Sequence, residues 1–353
     1  MSKKRIKVGV IFGGKSAEHE VSLQSARNVI NALDKKKYEV VPIGISKDGK
    51  WFLGDSRKYL LNESNPKLIR LNKSNKEVVL FGERAGPAGR LDVVFPVLHG
   101  PYGEDGSVQG MLKLAGIPFV GAGVLGSAVG MDKDTAKRLL REAGINVADY
   151  LVFQGKNKIR PTEIYKKLGR PVYVKPSNMG SSVGVSKAEN DAELRNATKE
   201  AFKFDTKIII EEEIKGREIE CSVLGNEKPI ASLPGEIIPD DEFYSYDAKY
   251  ITEGTRLVVP AKLSKSLIKK VQNTAVQVFK TLNCEGMGRV DFFLTQKGKL
   301  YVNEINTIPG FTNISMYPKL WEASGISQPE LFDRLIGLAL ERHRKEKKLK
   351  SSV

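Results

Sequence analysis

The chain opens with Ile6-Lys-Val-Gly-Val-Ile-Phe12, an apolar run broken by one charge. A short apolar run bounded by turn residues predicts a strand buried in a sheet. Gly13-Gly14 then turns the chain, Ser16 is placed to cap, and Leu23, Ala26, Ile30 and Leu33 recur on one face of a helix. Tyr38-Glu-Val-Val-Pro-Ile-Gly-Ile45 predicts the next strand. A strand–turn–helix–strand opening predicts an open, mostly parallel sheet. Residues 47–90 are polar and turn-rich and predict a hairpin excursion. Leu91–Leu98 predicts another strand, followed by the glycine-rich loop His99-Gly-Pro-Tyr-Gly-Glu-Asp-Gly106 and a helix through Gln109, Leu112 and Ala115. A helix from about Asp132 to Gly144 leads to strands at Arg170–Lys175 and Lys207–Glu211. A third region starts near Arg217, with a strand over Glu218–Leu224, a long loop at 239–256, a helix over 264–282, a hairpin, and a final helix from Gln328. The pattern divides the chain into residues 1–125, 126–215 and 216–353, an α/β architecture without internal repeats.

The hairpin carries the strongest chemical signal. Gly288-Arg-Val-Asp-Phe-Phe-Leu294 alternates, so Arg289 and Asp291 share one face of a strand. Tyr301-Val-Asn-Glu-Ile-Asn306 puts Glu304 and Asn306 on one face of its partner. A two-residue turn at Lys297-Gly298 sets Asp291 opposite Glu304 and Arg289 opposite Asn306. Directly paired Cβ atoms lie about 4.5–5.5 Å apart, where like charges repel. Two carboxylates that close call for a cation between them. Oxygen-only ligands suit a hard ion such as Mg²⁺, shared with substrate phosphates. The competing reading is a solvated polar face of an edge hairpin.

Composition narrows the class. A length of 353 residues allows two or three domains, and 41% hydrophobic with 28% charged residues is ordinary for a soluble globular protein. No apolar run approaches the roughly 20 residues of a membrane span, and the N-terminus lacks the long apolar region of a signal peptide. Cys221 and Cys284 have no metal spacing and sit in apolar surroundings, so buried reduced thiols and a cytoplasmic location are expected. Part of the +15 charge lies in the tail Arg342–Lys350, expected to be a frayed helix end that includes His343. No basic stretch is interleaved with aromatics, so nucleic acid is not the expected partner, and the positive field favours small anionic substrates.

Further segments have the makings of a site. Lys175-Pro-Ser-Asn-Met-Gly-Ser-Ser-Val-Gly-Val185 runs from a strand into a small-residue loop whose N–H groups and hydroxyls can wrap phosphate oxygens, although a mobile surface turn reads the same way. It is not a Walker A loop, since its lysine precedes the glycines. Glu211-Glu-Glu-Ile-Lys-Gly-Arg-Glu218 offers acceptors for an adenine amine and ribose hydroxyls, but taken alone reads better as a charged connection. Asp240–Tyr250 is rich in tyrosine and long enough for a lid, with Lys249 and Tyr250 placed to close over a substrate; a packing surface loop competes. Gly310 and Ser315 follow the hairpin, and Glu18 follows the first strand, where open α/β sheets place ligand groups. His19 and His99 are ambiguous.

Together these segments resemble the D-alanine–D-alanine ligases of the ATP-grasp superfamily over nearly the whole chain. The resemblance is carried by Phe12-Gly-Gly-Lys-Ser-Ala-Glu-His-Glu-Val-Ser22, His99–Gly106, Met131-Asp-Lys133, Val174–Gly184, Tyr244-Ser-Tyr-Asp-Ala-Lys-Tyr250, Gly288–Asp291 and Asn303–Gly310. It implies an N-terminal open parallel sheet domain and two α+β domains clasping ATP. Lys133 and Lys175 would hold phosphates, and Ser181 would stand beside them. Glu211, with the neighbouring Glu213 and Ile214, would read adenine, and Glu218 the ribose. Asp291, Glu304 and Asn306 would hold two Mg²⁺, with Mn²⁺ as a substitute. Glu18 would bind the ammonium of the first D-alanine, with His99 near it, and Ser181 and Tyr250 would hydrogen-bond to Glu18. Arg289 and the Gly310 N–H would stabilise the oxyanion, while Lys249 and Ser315 would take the second carboxylate. The resemblance also implies a cytoplasmic homodimer. A D-alanine–D-lactate ligase, another ATP-grasp ligase and a non-catalytic nucleotide-binding protein are the rivals. The first fits the Tyr-Asp-Ala-Lys-Tyr250 loop less well, the second would lose Glu18 and that loop, and the third would have lost a metal ligand or Arg289.

Overall fold

The computed structural model describes residues 4–54, 59–63, 65–72, 76–77, 90–155, 159–239 and 255–350. The first sheet uses β1 (Ile6–Gly13), followed by helix α1 (His19–Ala32), and then β2 (Tyr38–Ile45) and β3 (Trp51–Leu53). A short pair, β4 (Leu60–Leu61) and β5 (Arg70–Leu71), and then β6 (Lys76–Glu77) precede β7 (Val93–Val97). The order is β6-β3-β2-β1-β7, with β1 parallel to both β2 and β7. Ser16 does not cap α1 as expected. Its hydroxyl accepts from Glu18 N–H at 3.2 Å, tightening the turn ahead of the helix, whose N-cap is Glu18.

Two helices follow β7, α2 (Ser107–Leu114) and α3 (Val124–Met131), and α3 was not anticipated from the pattern. Next come α4 (Lys133–Glu142), β8 (Tyr150–Gln154), α5 (Pro161–Leu168), β9 (Val172–Pro176), β10 (Ser186–Ala188), α6 (Asp191–Ala201) and β11 (Lys207–Glu212). Their sheet runs β10-β9-β11-β8 and is antiparallel throughout. Val172, Val174, Ile208 and Ile210 face a core shared with α5 and α6, so Tyr173, Lys175 and Glu211 face the other way.

The remaining elements are β12 (Arg217–Gly225), β13 (Ile230–Ala231), β14 (Gly235–Ile238), β15 (Arg256–Val258), α7 (Lys265–Thr281), β16 (Gly286–Leu294), β17 (Leu300–Asn306), α8 (Met316–Ala323) and α9 (Gln328–Glu346). The sheet order is β15-β14-β12-β16-β17, with β13 paired to β12. Ile219, Cys221, Val223, Val290 and Phe292 pack on Val271, Ala275, Val278 and Phe279 of α7. Alternation then turns Glu220, Arg289 and Asp291 to the opposite face. Both cysteines are free and buried, and burial pushes each thiol up to about 12.

The C-terminal helix corrects the expected frayed end. Leu331, Phe332, Leu335 and Ile336 of α9 share one core with Val8, Val10 and Phe95 of the first sheet. Arg342 is buried and donates to Gly121 O (2.6 Å) and Phe119 O (2.8 Å), with its guanidinium 4.5 Å from the Phe119 ring centre. His343 lies inside the helix. Among the described residues, no helix is long and apolar enough to cross a membrane.

Candidate active site

The site is built on the β16–β17 hairpin. Arg289 pairs with Asn306 and Asp291 with Glu304, the register that alternation predicts. The turn, however, is not the expected two-residue one. Thr295 N–H donates to Lys299 O at 3.0 Å and Gly298 N–H to Thr295 O at 2.9 Å. The loop therefore holds Gln296, Lys297 and Gly298, and Gly298 takes the left-handed φ of 72° that glycine tolerates. One extra loop residue slips the strands by one position. A bulge restores the pairing: Phe292 faces Val302, Asp291 faces Glu304, and Asn303 is the additional residue. Asn303 and Glu304 are consequently both half-buried, while Val302 and Ile305 fill the core.

The cation demanded by the paired carboxylates is supplied here by side chains. Arg289 donates to Asp291 Oδ1 (2.8 Å) and Oδ2 (2.7 Å), and its Nε lies 3.0 Å from Glu220 Oε2. Asn306 Nδ2 donates to Asp291 Oδ2 at 2.9 Å. Lys133 Nζ lies 3.2 Å from Glu304 Oε2. Among the described residues no group of three or more His, Cys, Asp or Glu side chains is arranged to hold a metal. Two facing carboxylates and an amide oxygen still fit a hard divalent ion, provided that phosphate oxygens complete its shell.

Lys133 opens α4, and its ammonium donates to Met179 O at 2.7 Å. Lys175 on β9 donates to Asn303 Oδ1 at 3.2 Å and pairs with Glu211 Oε2 at 2.7 Å. The other Glu211 oxygen lies 2.8 Å from Lys137 Nζ. Burial alone would raise the Glu211 carboxyl, but Lys137 and Lys175 hold it down at about 2. Burial likewise opposes the Lys175 charge, and Glu211 outweighs it, so that pKa is raised. Each Glu211 oxygen has one lysine partner and keeps a lone pair with which it can accept from a further donor. Glu213 lies 3.7 Å from both Lys187 and Lys215, and Ile214 is half-buried between the two antiparallel sheets. Glu218 is on β12, opposite Phe293.

A second cluster adjoins the first. The Ser181 hydroxyl donates to Glu18 Oε1, and Ser181 takes a left-handed φ of 50°. A Cβ at Gly100 or Gly180 would lie 3.0 or 3.1 Å from Glu18 Oε2, so both backbones press on this carboxylate. His99 is buried, and burial pushes its pKa down against the pull of Glu18. The neutral ring uses Nδ1–H on Ile308 O (3.0 Å), and Nε2 lies 3.3 Å from Ser25 Oγ, which accepts from Phe311 N–H (3.1 Å). His99 thus pins the segment after β17. A Cβ at Gly310 would come within 2.8 Å of Ser315 Oγ, so this glycine permits their close approach. Ser315 Oγ also accepts from Thr312 N–H at 2.9 Å. Lys249 and Tyr250 lie outside the described residues.

Two residues of the site were missed. Lys137 sits one turn beyond Lys133 at helical spacing, a signal that was available. Glu104 accepts from Gly100 N–H (2.8 Å) and Ile308 N–H (3.0 Å), joining the glycine-rich loop to the end of the hairpin. Burial, aided by nearby Glu18, pushes its carboxyl up to about 8. Its position within His99–Gly106 was the only hint in the sequence.

Residues 7–122 match the D-ala D-ala ligase N-terminus family, and residues 139–337 match the D-ala D-ala ligase C-terminus family. A D-alanine–D-alanine ligase from Shouchella clausii is 56% identical, covering 100% of this chain and 99% of its own. Among solved structures, the D-alanine-D-alanine ligase from Coxiella burnetii superposes with a TM-score of 0.87 at 41% identity, covering 98% of this chain and 97% of that one. The VanG D-Ala:D-Ser ligase from Enterococcus faecalis superposes with a TM-score of 0.81 at 38% identity, covering 95% and 100%.

Proposed function

The chain belongs to the D-alanine–D-alanine ligase family, and from that premise we propose how its own residues join two D-alanines at the expense of ATP. The protein has the ATP-grasp fold and is a ligase of peptidoglycan precursor synthesis. We propose domain boundaries near residues 125 and 215.

A carboxylate is a poor acyl donor, so the first D-alanine is activated. Its carboxylate oxygen attacks the γ-phosphorus of ATP, ADP leaves, and an acyl phosphate forms. This step needs positioning and charge neutralisation rather than a covalent enzyme intermediate. Lys133 and Lys175 hold the phosphates, with Ser181 in the loop beside them. Glu211, with the backbone around Glu213 and Ile214, reads adenine, and Glu218 takes the ribose. A divalent metal neutralises phosphate charge when bound. Asp291, Glu304 and Asn306 would hold it, and we propose two Mg²⁺, replaceable by Mn²⁺.

Glu18 binds the ammonium of the first D-alanine, and His99 orients the neighbouring loop. Lys249 and Ser315 bind the carboxylate of the second D-alanine. Its amine, once deprotonated, attacks the acyl carbon, and phosphate leaves with its electron pair. Ser181, Tyr250 and Glu18 would relay the departing proton. Arg289 and the Gly310 N–H face the oxyanion, where fixed positive charge acts most strongly.

The observation that carries this reading is the facing Asp291–Glu304 pair with Arg289 and Lys133 on its two carboxylates. Hydroxylamine trapping tests the acyl phosphate: D-alanine hydroxamate should form together with ADP. Formation of AMP and pyrophosphate instead would replace phosphoryl by adenylyl transfer. A homodimer belongs to the same proposal. Tyr102, Leu114 and Leu125, on or beside α2 and α3, are exposed and could meet a second copy.

A further inference from the structure

Lys137 is 2% exposed, too deep to touch a nucleotide itself, yet it lies directly behind the phosphate lysine. Glu211 bridges it to Lys175, at 2.8 Å on one oxygen and 2.7 Å on the other. Lys175 continues the chain to Asn303 in the bulge beside the paired carboxylates. Burial pushes the Lys137 pKa down and Glu211 opposes that shift; with both lysines protonated, two ammonium groups share one carboxylate and leave a surplus positive charge in a buried place. A buried charge is costly unless a counter-charge offsets it. An anion arriving at Lys175 from the cleft is that counter-charge.

We propose that Lys137 is a positioning residue which, through Glu211, fixes the Lys175 ammonium toward the cleft and supplies the surplus charge that draws the triphosphate of ATP. The inference rests on the ATP reading of this cleft. With Lys137 neutralised, Glu211 and Lys175 become a closed pair without net charge. Lys175 is then drawn back onto Glu211 and away from phosphate.

Lys137→Met is the informative variant. It keeps the length and loses the charge, while Glu211 retains Lys175 as counter-ion, so no buried charge is orphaned. Titration calorimetry with Mg²⁺ and AMP-PNP, a non-hydrolysable ATP analogue, reads the effect. We expect binding to weaken about tenfold and KM for ATP to rise in proportion, with KM for D-alanine within about twofold. Lys137→Arg, which keeps the charge, should recover most of the loss. In a Glu211→Gln background the relay has lost its bridge, and Lys137→Met should then cost less than about twofold more.

A purely structural lysine behaves differently. Its loss would lower the melting temperature and kcat at unchanged AMP-PNP affinity, or weaken binding equally in both backgrounds. Either result overturns the inference. Should Lys137→Met not fold, Lys137→Gln is used: it is neutral but can still donate to Glu211, and it carries the same expectation and the same overturning results. Unaltered protein that binds no AMP-PNP would strike the ATP reading itself, a separate failure.

Discussion

Asp291 and Glu304 face each other across a strand pair, and each carboxylate has its own protein cation, Arg289 or Lys133. Replacing either one removes a metal ligand; after Asp291→Asn the Arg289 guanidinium keeps Glu220, and after Glu304→Gln the Lys133 ammonium keeps Met179 O. Asp291→Asn and Glu304→Gln should each lower turnover at least about a hundredfold with Mg²⁺ as the only divalent ion, with the melting curve little changed. Near wild-type turnover in both would take the hairpin out of the mechanism. Glu104 makes a pH prediction. Its folded carboxyl is raised from 4.5 to about 8, mainly by burial. Above the unfolded value the unfolded chain releases a proton that the folded chain keeps, so Glu104 costs stability progressively from about pH 4.5 to about pH 8. The melting temperature should fall across that window, and Glu104→Gln should flatten the fall. An unchanged slope would contradict the raised carboxyl. Asp291 and Glu304 were legible because a period of two assigns faces directly. Glu104 was not, because its partner Ile308 is remote in sequence; the spacing of Lys137 from Lys133 was legible, but its partner Glu211 is remote and only the fold buries the two together.

At the scale of elements, the hairpin shows how a correct pairing can follow from an incorrect turn. The loop is one residue longer than the Lys297-Gly298 reading supposed, and the Asn303 bulge takes up the difference. Alternation across Tyr301–Asn306 reads the same on either side of a bulge placed between two polar residues, so the sequence pattern could not reveal it. The compensation can be tested by deletion. Removing Asn303 alone should slip Glu304 away from Asp291 and abolish turnover. Removing Lys297 as well shortens the loop, realigns the pair and should restore part of the activity, less what the Lys175–Asn303 hydrogen bond contributes. A double deletion no more active than the single one would show that the bulge does not set the register.

Across the whole molecule, each sheet region contributes to one site. Glu18 and Glu104 come from loops of the first sheet, Lys175 and Ser181 from the second, and Asp291 and Glu304 from the third. The main strands were legible from local periodicity and the facing hairpin pair from the spacing of its charged residues, while the other site residues were expected from the family resemblance alone. The docking of α9 on the first sheet was not legible, since a basic tail looks solvated until Phe119 and Gly121 are seen beneath Arg342. Arg342→Ala should cost about 2–4 kcal/mol by thermal denaturation, through two lost carbonyl bonds and the Phe119 contact, while KM for D-alanine is unchanged. A change under about 0.5 kcal/mol, the range of ordinary surface substitutions, would mean that the helix end is not anchored there. What the assembled molecule makes is the central claim. It is tested most directly by giving the protein ATP, Mg²⁺ and equal concentrations of D-alanine and D-lactate at neutral pH and weighing the products. D-Alanyl-D-alanine should be the dominant mass, with equimolar ADP and phosphate; a dominant D-alanyl-D-lactate depsipeptide would mean that the protein is a D-alanine–D-lactate ligase.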